Sequence, residues 1–220
     1  MNLKLSLFKL GDRFTAIGEK HSIRFLIYNP ITWGRFFFSA RVSGRVFAKS
    51  LMQSHPRIKT ICDVGAGSGG YVMRLQQAGF NSCGVEYSAA GRLMGKLQGA
   101  KIFRFDCSDT GELPTLGRFD LAYSIEVGEH IPAEFARNFV KYITSLSDLV
   151  IFSAAFPGQG GQGHINERPQ DYWRELFLTE GFEYQPDQTL EFANRLRENN
   201  FRGWLPQNLQ LFKLVNPKQS

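Results

Sequence analysis

Residues 63–69 read Asp63-Val64-Gly65-Ala66-Gly67-Ser68-Gly69 and carry the strongest fold signal in the chain. They close a short apolar run, residues 60–64, that is typical of a buried strand, and they open a helix-like segment at Gly70. Glycines at such a junction let a ligand press against the backbone, and a helix N-terminus offers unpaired N–H groups. The stretch therefore predicts a ligand-binding loop after the first strand, although its glycine spacing alone also suits a dinucleotide.

The chain from residue 60 onward alternates between strand-like and helix-like segments. Strands are predicted at 60–64, 83–87, 101–105, 119–125 and 149–154, with two further candidates at 183–185 and 209–214. Helices are predicted at 70–78, 88–97, 133–146 and 171–179. Strands separated by helices favour an α/β fold, with a Rossmann-like, mostly parallel sheet and helices on both faces. The glycine-rich residues 157–163 follow the fifth strand, where binding loops of parallel sheets lie.

Length and composition exclude several classes of protein. The 220 residues suit one domain, and a chain with 43% hydrophobic residues and 20 Phe is not disordered. The three cysteines, Cys62, Cys83 and Cys107, are too few for a disulfide scaffold and are typical of reduced thiols in a cytoplasmic protein. No apolar run reaches the roughly 18 residues of a membrane span, and Lys4 and Lys9 interrupt any signal peptide. We therefore expect a cytoplasmic protein.

Charge is distributed unevenly along the chain. Residues 1–59 contain eleven Lys and Arg against two Asp and Glu, whereas residues 60–220 contain fifteen against eighteen. Helix-like spacing of Phe in the N-terminal part predicts short helices. We divide the chain into a basic, Phe-rich helical extension, residues 1–57, that caps the site or recognises the substrate, and a main domain, residues 58–220. The basic face is either solvated or a surface for phosphate-bearing substrates, nucleic acid or lipid headgroups.

Carboxylates end the second and third predicted strands. Glu86 lies where a carboxylate can bind both hydroxyls of a ribose, and Asp106 lies where it can contact an adenine amino group. Together with Asp63 and the glycine loop, they form a combination that resembles the class I S-adenosylmethionine-dependent methyltransferases across roughly residues 58–215. The resemblance implies a methyltransferase with a seven-stranded sheet whose last strand is antiparallel.

The same resemblance implies a site for S-adenosylmethionine. Asp63, Gly65 and Gly67 would line the methionine end, Glu86 the ribose and Asp106 the adenine. Tyr87 either covers the ribose or adenine or simply packs, and Asp106 either contacts the adenine or only caps the following turn. The full cofactor site expected from the resemblance comprises Asp63, Gly65, Ala66, Gly67, Glu86, Tyr87, Asp106, Cys107 and Ile125.

A second group of polar residues follows the fourth strand. Glu126, Glu129 and His130 have spacings that let one turn bring their side chains together. His164 follows the fifth strand, which neighbours the fourth in the implied sheet, so the two loops should meet above the cofactor. Crowded carboxylates are costly unless a cation or a proton lies among them. The ligand types predict a site for Mg²⁺ or Mn²⁺ formed by Glu126, Glu129, His130 and His164.

This E-x-x-E-H motif with a distant His is similar to the metal motif of the small-RNA 2′-O-methyltransferases that modify RNA 3′ ends. In that family, the resemblance implies, the ion binds the terminal ribose 2′- and 3′-hydroxyls. Here the loop before His164 is a run of Gly and Gln, and there is no separate RNA-binding domain. The resemblance therefore favours a metal-bound diol more than RNA. Alternatively, Glu126 and Glu129 are solvated, and His164 acts alone as a base or is structural.

We therefore predict a methyltransferase that acts on a hydroxyl of a sugar, glycan or other small diol-bearing acceptor, with His164, His130 and Glu129 as catalytic residues. A hydroxyl attacks a sulfonium slowly at neutral pH, so either a metal lowers its pKa or a histidine takes its proton. The alternatives are an RNA 2′-O-methyltransferase, with the basic N-terminus on phosphates, and a non-catalytic methyltransferase-like binding module. Contact of the basic N-terminus with a membrane surface also remains open.

Overall fold

The computed structural model describes residues 9–10, 13–14, 17, 30–109 and 113–215. Its strands are β1 (Thr60–Val64), β2 (Asn81–Glu86), β3 (Ile102–Arg104), β4 (Leu121–Ile125), β5 (Leu149–Ser153), β6 (Phe182–Tyr184) and β7 (Gln210–Leu214). Within the described residues these seven strands form one sheet in the order β3-β2-β1-β4-β5-β7-β6. Strand β7 is antiparallel to β5 and β6, and the other neighbouring pairs are parallel. The predicted Rossmann-like sheet with an antiparallel last strand is confirmed.

Helices connect the strands and cover both faces of the sheet. They are α1 (Pro30–Ser54), α2 (Gly70–Gln77), α3 (Ala89–Leu97), α4 (Ala136–Leu146), α5 (Gln170–Thr179), α6 (Pro186–Glu198) and α7 (Leu205–Asn208). Ser88 caps α3 by accepting a hydrogen bond from the Gly91 backbone N–H at 3.2 Å. The predicted bounds agree with these to within about two residues, except that the first turn of the helix predicted at 133–146 is a 3-10 turn.

The N-terminal part differs from the prediction in length and continuity. Instead of several short helices, residues 30–54 form one continuous helix that begins at Pro30, a residue favoured in the first helical turn. Residues 9–10, 13–14 and 17 are also helical and exposed. The rest of the predicted helical segments before residue 30 lies outside the described residues. The division of the chain at residue 57 stays a prediction.

Helix α1 packs closely on the rest of the fold. A Cβ atom at Gly70 would lie 2.6 Å from the Ala40 side chain, and one at Gly44 would lie 3.1 Å from the Tyr71 backbone. The two glycines therefore allow α1 and α2 to approach each other at backbone distance. Phe47 of α1 is fully buried in the core on this face of the sheet. Helix α1 thus stands directly beside the glycine loop that precedes α2.

Helices α6 and α7 occupy residues 186–208, to which the sequence analysis assigned no element. Helix α6 begins with Pro186 and buries one stripe, formed by Thr189, Phe192, Ala193 and Leu196. Those positions have helical spacing, but polar residues between them weaken the signal. Helix α7 follows, and it places Trp204 and Asn208 near the carboxyl ends of the central strands, where the candidate site lies.

The sheet has a hydrophobic core on each face. Strands β1 and β4 are neighbours in the middle of the sheet, with β2 and β3 on one side of them and β5, β7 and β6 on the other. One core packs α4 and α5 against the sheet, and the other packs α1, α2 and α6. Neighbouring strands whose connections leave in opposite directions open a crevice at their carboxyl ends. The loops after β1 and β4 therefore flank a crevice. No helix among the residues described combines the length and the apolarity needed to cross a membrane.

Candidate functional site

A cavity of about 570 Å³ lies at the carboxyl ends of β1, β2, β4 and β5. It is lined by every residue predicted for the cofactor or the metal, namely Asp63, Gly65, Ala66, Gly67, Glu86, Tyr87, Asp106, Cys107, Ile125, Glu126, Glu129, His130 and His164. The fold thus brings together residues that are as many as 101 positions apart in the chain. Their roles in binding and transfer are not fixed by this placement and stay predictions. A groove of about 620 Å³ at the opposite end of the strands contains none of them.

The glycine loop forms one wall of the cavity through its backbone. Gly65, Gly67 and Gly69 all have positive φ angles, of 92°, 54° and 76°. A Cβ at Gly65 would lie 2.5 Å from the Val127 side chain, so the loops after β1 and β4 approach too closely for any side chain there. The Gly65 N–H donates to the Val85 carbonyl at 2.9 Å and holds the loop against β2. The result is a narrow cradle that suits a ligand lying against bare backbone.

Glu86 and Asp63 place two buried carboxyls beside this cradle. Glu86 accepts hydrogen bonds from the Gly67 N–H at 2.9 Å and the Ser88 N–H at 2.6 Å. Burial raises the pKa of Glu86, and these hydrogen bonds oppose the increase. Burial likewise raises the pKa of Asp63 to about 8, opposed by the Tyr123 hydroxyl. A cationic amino group in the cradle would favour the charged form of Asp63, as the methionine end of the expected cofactor requires.

The third strand contributes Asp106, whose carboxylate caps a turn and lines the cavity as well. One carboxylate oxygen accepts hydrogen bonds from the Ser108 N–H at 2.9 Å and the Ser108 hydroxyl at 2.6 Å. The other oxygen lies 3.8 Å from the Arg104 guanidinium. The capping interpretation therefore holds, and it is compatible with a contact to an adenine. Tyr87 lies at the rim, and Cys107 is half-buried beside Asp106.

The loops after β4 and β5 are joined by backbone hydrogen bonds. The Glu129 carbonyl accepts from the Ile165 N–H at 2.9 Å and the Asn166 N–H at 3.0 Å. Nδ1 of His130 lies 3.0 Å from the Gly163 carbonyl, to which it can only donate. That hydrogen bond fixes the neutral tautomer that carries its lone pair on Nε2. The two loops therefore meet and form a second wall of the cavity.

Glu129, His130 and His164 converge on this wall. One ligand atom from each lies within 4.8 Å of the others, and His164 Nε2 lies 3.8 Å from Glu129 Oε1. Glu129 is fully buried, and its carboxyl oxygens have no hydrogen-bond partner. Burial raises its pKa to about 8, helped by the charge of Glu126, whereas burial lowers the pKa of His130 to about 4. A neutral imidazole beside a carboxyl that lacks a partner fits a cation or a shared proton.

Glu126 does not join this group. Its backbone has a positive φ of 52°, unusual for a residue other than glycine. Its carboxylate instead accepts hydrogen bonds from Asn208 Nδ2 and Gln159 Nε2, each at 3.0 Å. The structure thus brings together three of the four predicted metal ligands and turns Glu126 toward α7. A ligand role for Glu126 stays a prediction.

Glu167 is a site residue that the sequence analysis missed. Its Oε1 accepts a hydrogen bond from His164 Nδ1 at 2.8 Å, and its carboxylate also accepts from the Gly158 and Gly160 N–H groups at 2.8 Å each. These contacts, that to His164 first, lower the pKa of Glu167. The available signal was an acid three residues after His164 in a glycine-rich loop. A carboxylate in this position holds the imidazole with Nε2 toward the cavity.

The chemistry of the cavity wall is acidic and aromatic. Five carboxyl side chains line it, those of Asp63, Glu86, Asp106, Glu126 and Glu129. Among the lining residues that the structure describes, none is Lys or Arg. Residues that the sequence analysis did not predict include Ser39 and Ser43 of α1, Tyr71, Tyr123 and Trp204. Helix α1 therefore contributes directly to the site.

Three solved structures with the same fold are similar to this chain. The magnesium protoporphyrin IX methyltransferase of Synechocystis PCC 6803, with bound S-adenosylhomocysteine, has 19% identity and a TM-score of 0.54, covering 81% of this chain and 90% of that one. The sugar N-methyltransferase of Streptoalloteichus sp. ATCC 53650 has 13% identity and a TM-score of 0.58, covering 79% and 87%. An amino pentose methyltransferase of Micromonospora echinaspora, with bound S-adenosylmethionine, has 13% identity and a TM-score of 0.57, covering 80% and 92%.

The family comparison agrees with the fold. No curated protein sequence gives a significant match to this chain. Residues 41–204, most of the chain, match the model of a family described as a methyltransferase domain. The matched range contains the glycine loop, both joined loops and Trp204. The chain therefore belongs to this methyltransferase family, and it is an enzyme with the class I S-adenosylmethionine-dependent methyltransferase fold.

Proposed function

We propose that the protein transfers a methyl group from S-adenosylmethionine to a hydroxyl of a sugar, glycan or other small diol-bearing acceptor. The observation that carries the proposal is the wall formed by Glu129, His130 and His164, which shares one cavity with the glycine cradle. Similar structures include methyltransferases of sugars, and an O-methyltransferase family protein from Burkholderia thailandensis has a TM-score of 0.60 at 12% identity. These similarities support a small polar acceptor.

The residues of the cradle fit the cofactor. Its bare glycine backbone accommodates a ligand that a Cβ would exclude, and the buried Glu86 carboxylate beside it suits ribose hydroxyls. S-adenosylmethionine supplies an electrophilic methyl group on a positively charged sulfur. The task that remains for the protein is to hold the acceptor oxygen in line with that methyl group and to remove its proton. Positioning of this kind provides much of the rate enhancement in transfer reactions.

His164 is suited to remove the proton. Its Nδ1 is held by Glu167, so Nε2 faces the cavity and can accept the proton of an acceptor hydroxyl while the oxygen bonds to the methyl carbon, the bond from that carbon to sulfur breaks and S-adenosylhomocysteine is the leaving group. Glu167 then stabilises the imidazolium, as a carboxylate does beside a catalytic histidine. His130, which burial keeps neutral, borders the same space at a ring-centroid distance of 5.0 Å.

The same wall has the donor set of a divalent cation site. Glu129, His130 and His164 would hold Mg²⁺ or Mn²⁺, which would lower the pKa of a bound hydroxyl. Burial of the partnerless Glu129 oxygens supports this assignment, because a cation there would offset their desolvation. In that case His164 acts as a ligand and not as the base.

A transfer assay with a labelled methyl group tests the proposal. The acceptors are neutral, amine-bearing and phosphorylated saccharides and a single-stranded RNA with a free 3′-terminal diol. We expect O-methylated saccharide, and a roughly 100- to 10,000-fold lower rate for His164→Ala with unchanged affinity for S-adenosylhomocysteine. Ile165→Ala, an exposed neighbour in the same loop, is the control. Failure of wild-type protein to bind S-adenosylmethionine would overturn the proposal.

Two further outcomes of this assay separate the alternatives. Loss of activity with a chelator, and its return with Mn²⁺ or Mg²⁺, assigns the three-residue group to a metal, whereas insensitivity to the chelator assigns the proton to His164. If only the RNA is methylated, the saccharide proposal is wrong and the RNA 2′-O-methyltransferase alternative takes its place. The acidic cavity wall disfavours that result, because a phosphodiester would meet carboxylates without a described Lys or Arg to neutralise it.

A further inference from the structure

We propose that the acceptor carries a protonated amino group, bound by Glu126 at the end of the cavity that Trp204 also lines, so that the acceptor class is an amino sugar. This inference rests on the proposed function and specifies the substrate of the same site. It concerns the end of the cavity formed by the loop after β5 and helix α7. The roles proposed so far, for the cofactor residues and for the group of Glu129, His130 and His164, do not include this end.

Contacts between the loop after β5, helix α7 and Glu126 build this end. Asn208 Nδ2 donates to Glu126 Oε1 at 3.0 Å and to Gln159 Oε1 at 2.9 Å. Trp204 meets Phe156 edge to face, with ring centroids 6.1 Å apart. Trp204 lies one helical turn before Asn208, and the Gln159 N–H donates to the Phe156 carbonyl. Glu126, Gln159 and Trp204 therefore line one end of the cavity together.

Glu126 is held in place at a conformational cost and without a compensating charge. Its φ of 52° lies in the left-handed region, where a residue with a Cβ is strained. The partners of its carboxylate are neutral amides, and no ion pair with it occurs among the described residues. A strained and uncompensated carboxylate on a cavity wall is a natural position for a cationic ligand group.

Glu129, one of the three converging residues described above, is a second carboxyl on this cavity that favours a cation. Its buried oxygens line the cavity and have no hydrogen-bond partner. The carboxyls make the described wall acidic, and no Lys or Arg is among its described lining residues, so the cavity favours a cationic ligand group over an anionic one. Trp204, which is 47% exposed, can stack on the apolar face of a sugar ring or contact an ammonium group. The combination suits a ring that bears both hydroxyls and an amino group.

The test compares three amino sugars with their uncharged counterparts. Glucosamine, galactosamine and mannosamine, their N-acetyl derivatives, and glucose 6-phosphate are titrated by NMR into protein saturated with S-adenosylhomocysteine. We expect at least one amino sugar to bind about tenfold or more tightly than its N-acetyl form, as a charge-assisted hydrogen bond predicts, and the phosphate not to bind. Glu126→Gln should bring the ratio close to one, and the exposed Glu134→Gln should leave it unchanged.

The outcomes distinguish this inference from the proposed function. Equal binding of the amino and N-acetyl forms, binding of none of the amino sugars, or an unchanged ratio in Glu126→Gln overturns the inference. Methylation at the nitrogen itself also overturns it, because the amine would then lie at the transferred methyl group. In each case, retained affinity for S-adenosylhomocysteine and O-methylation of a neutral saccharide leave the proposed function intact. If the wild-type protein does not bind S-adenosylhomocysteine, both this inference and the proposed function are wrong.

Discussion

The glycine loop after β1 and the joined loops after β4 and β5 form two walls of one cavity, yet they are built differently. The first wall is backbone: Gly65, Gly67 and Gly69 have positive φ, and there is no room for a Cβ at Gly65 or Gly69. The second wall is made of side chains, and hydrogen bonds between two loops hold Glu129, His130 and His164 together. A wall made of backbone binds a ligand that varies little, whereas a wall made of side chains can present chemical groups to an acceptor.

The comparison predicts that damage to each wall has a different consequence. Changes in the glycine cradle should weaken cofactor binding. Changes in the second wall should lower the rate of transfer and leave cofactor binding intact, because His130 bonds to Gly163 and His164 bonds to Glu167, both in the loop after β5 and not in the cradle.

Among the changes that compare the two walls, Gly161→Ala is expected to have the largest effect. A Cβ there would lie 2.2 Å from His164 Nε2, so the imidazole must move although the Gly161 backbone needs no positive φ. A displacement of about 1 Å can cost a hundredfold in rate, so we expect transfer to fall by about that factor or more. Affinity for S-adenosylhomocysteine, measured by calorimetry, should not change.

Gly158→Ala is the matched control for the same loop. Gly158 has a φ of 87° but no atom within 4 Å of its added Cβ, so the substitution strains the backbone whose N–H donates to Glu167 but places no atom against His164. Its loss of activity should be clearly smaller. Equal losses in both variants would show that strain of the loop, and not the position of His164, limits transfer.

A smaller effect, on the first wall, is expected from Glu86→Ala. It removes the carboxylate that accepts the Gly67 and Ser88 N–H groups and that suits the ribose. Loss of a charge-assisted hydrogen bond costs about 1.5–3 kcal/mol, or roughly ten- to a hundredfold in affinity for S-adenosylhomocysteine. Glu183→Ala, on the exposed side of β6, is the control. Calorimetry that gives wild-type affinity for a folded Glu86→Ala protein would remove Glu86 from the cofactor site.

The last effect, at most about 1.4 kcal/mol for each pH unit, concerns the pH dependence of stability and not transfer or binding. Burial raises the pKa of Asp63 from 3.8 to about 8. Between these values the folded protein keeps a proton that the unfolded chain has released, so the free energy of unfolding should fall as the pH rises from about 4 to 8. The contribution is fully present below pH 4, and one proton gives a slope of at most about 1.4 kcal/mol per pH unit.

Urea unfolding of the cofactor-free protein at several pH values measures this contribution. Asp63→Asn should show a shallower decline than wild type, and Asp187→Asn, on an exposed position of α6, should follow wild type. If Asp63→Asn declines as steeply as wild type, Asp63 is charged in the folded protein and its wall of the cavity already contains a compensating group.

The two walls were also predictable to different degrees. The glycine loop, the strands and the carboxylates at the strand ends follow from short contiguous patterns, the antiparallel last strand was implied by the family resemblance, and all the predicted site residues line one cavity. The length of α1, the stripe of α6 and the role of Glu167 were missed. Polar residues interrupt the spacing in α6, and nothing local marks Glu167 as the partner of His164. The spacing that grouped Glu126 with the other predicted metal ligands cannot report its φ of 52° or its hydrogen bonds to Asn208 and Gln159, and its ligand role stays a prediction.

The sequence by itself determined the fold class and the cradle, because a positive φ favours glycine and a buried strand favours apolar residues wherever they occur. It also supplied the chemically active side chains. Only the tertiary structure decided their partners. Pairing of β4 with β5 brings His130 within hydrogen-bond distance of Gly163, and packing of α7 places Asn208 on Glu126 and Trp204 at the rim. Such contacts join residues 33 or 82 positions apart, and a hydrogen bond acts only over about 3 Å, so three-dimensional packing must select them.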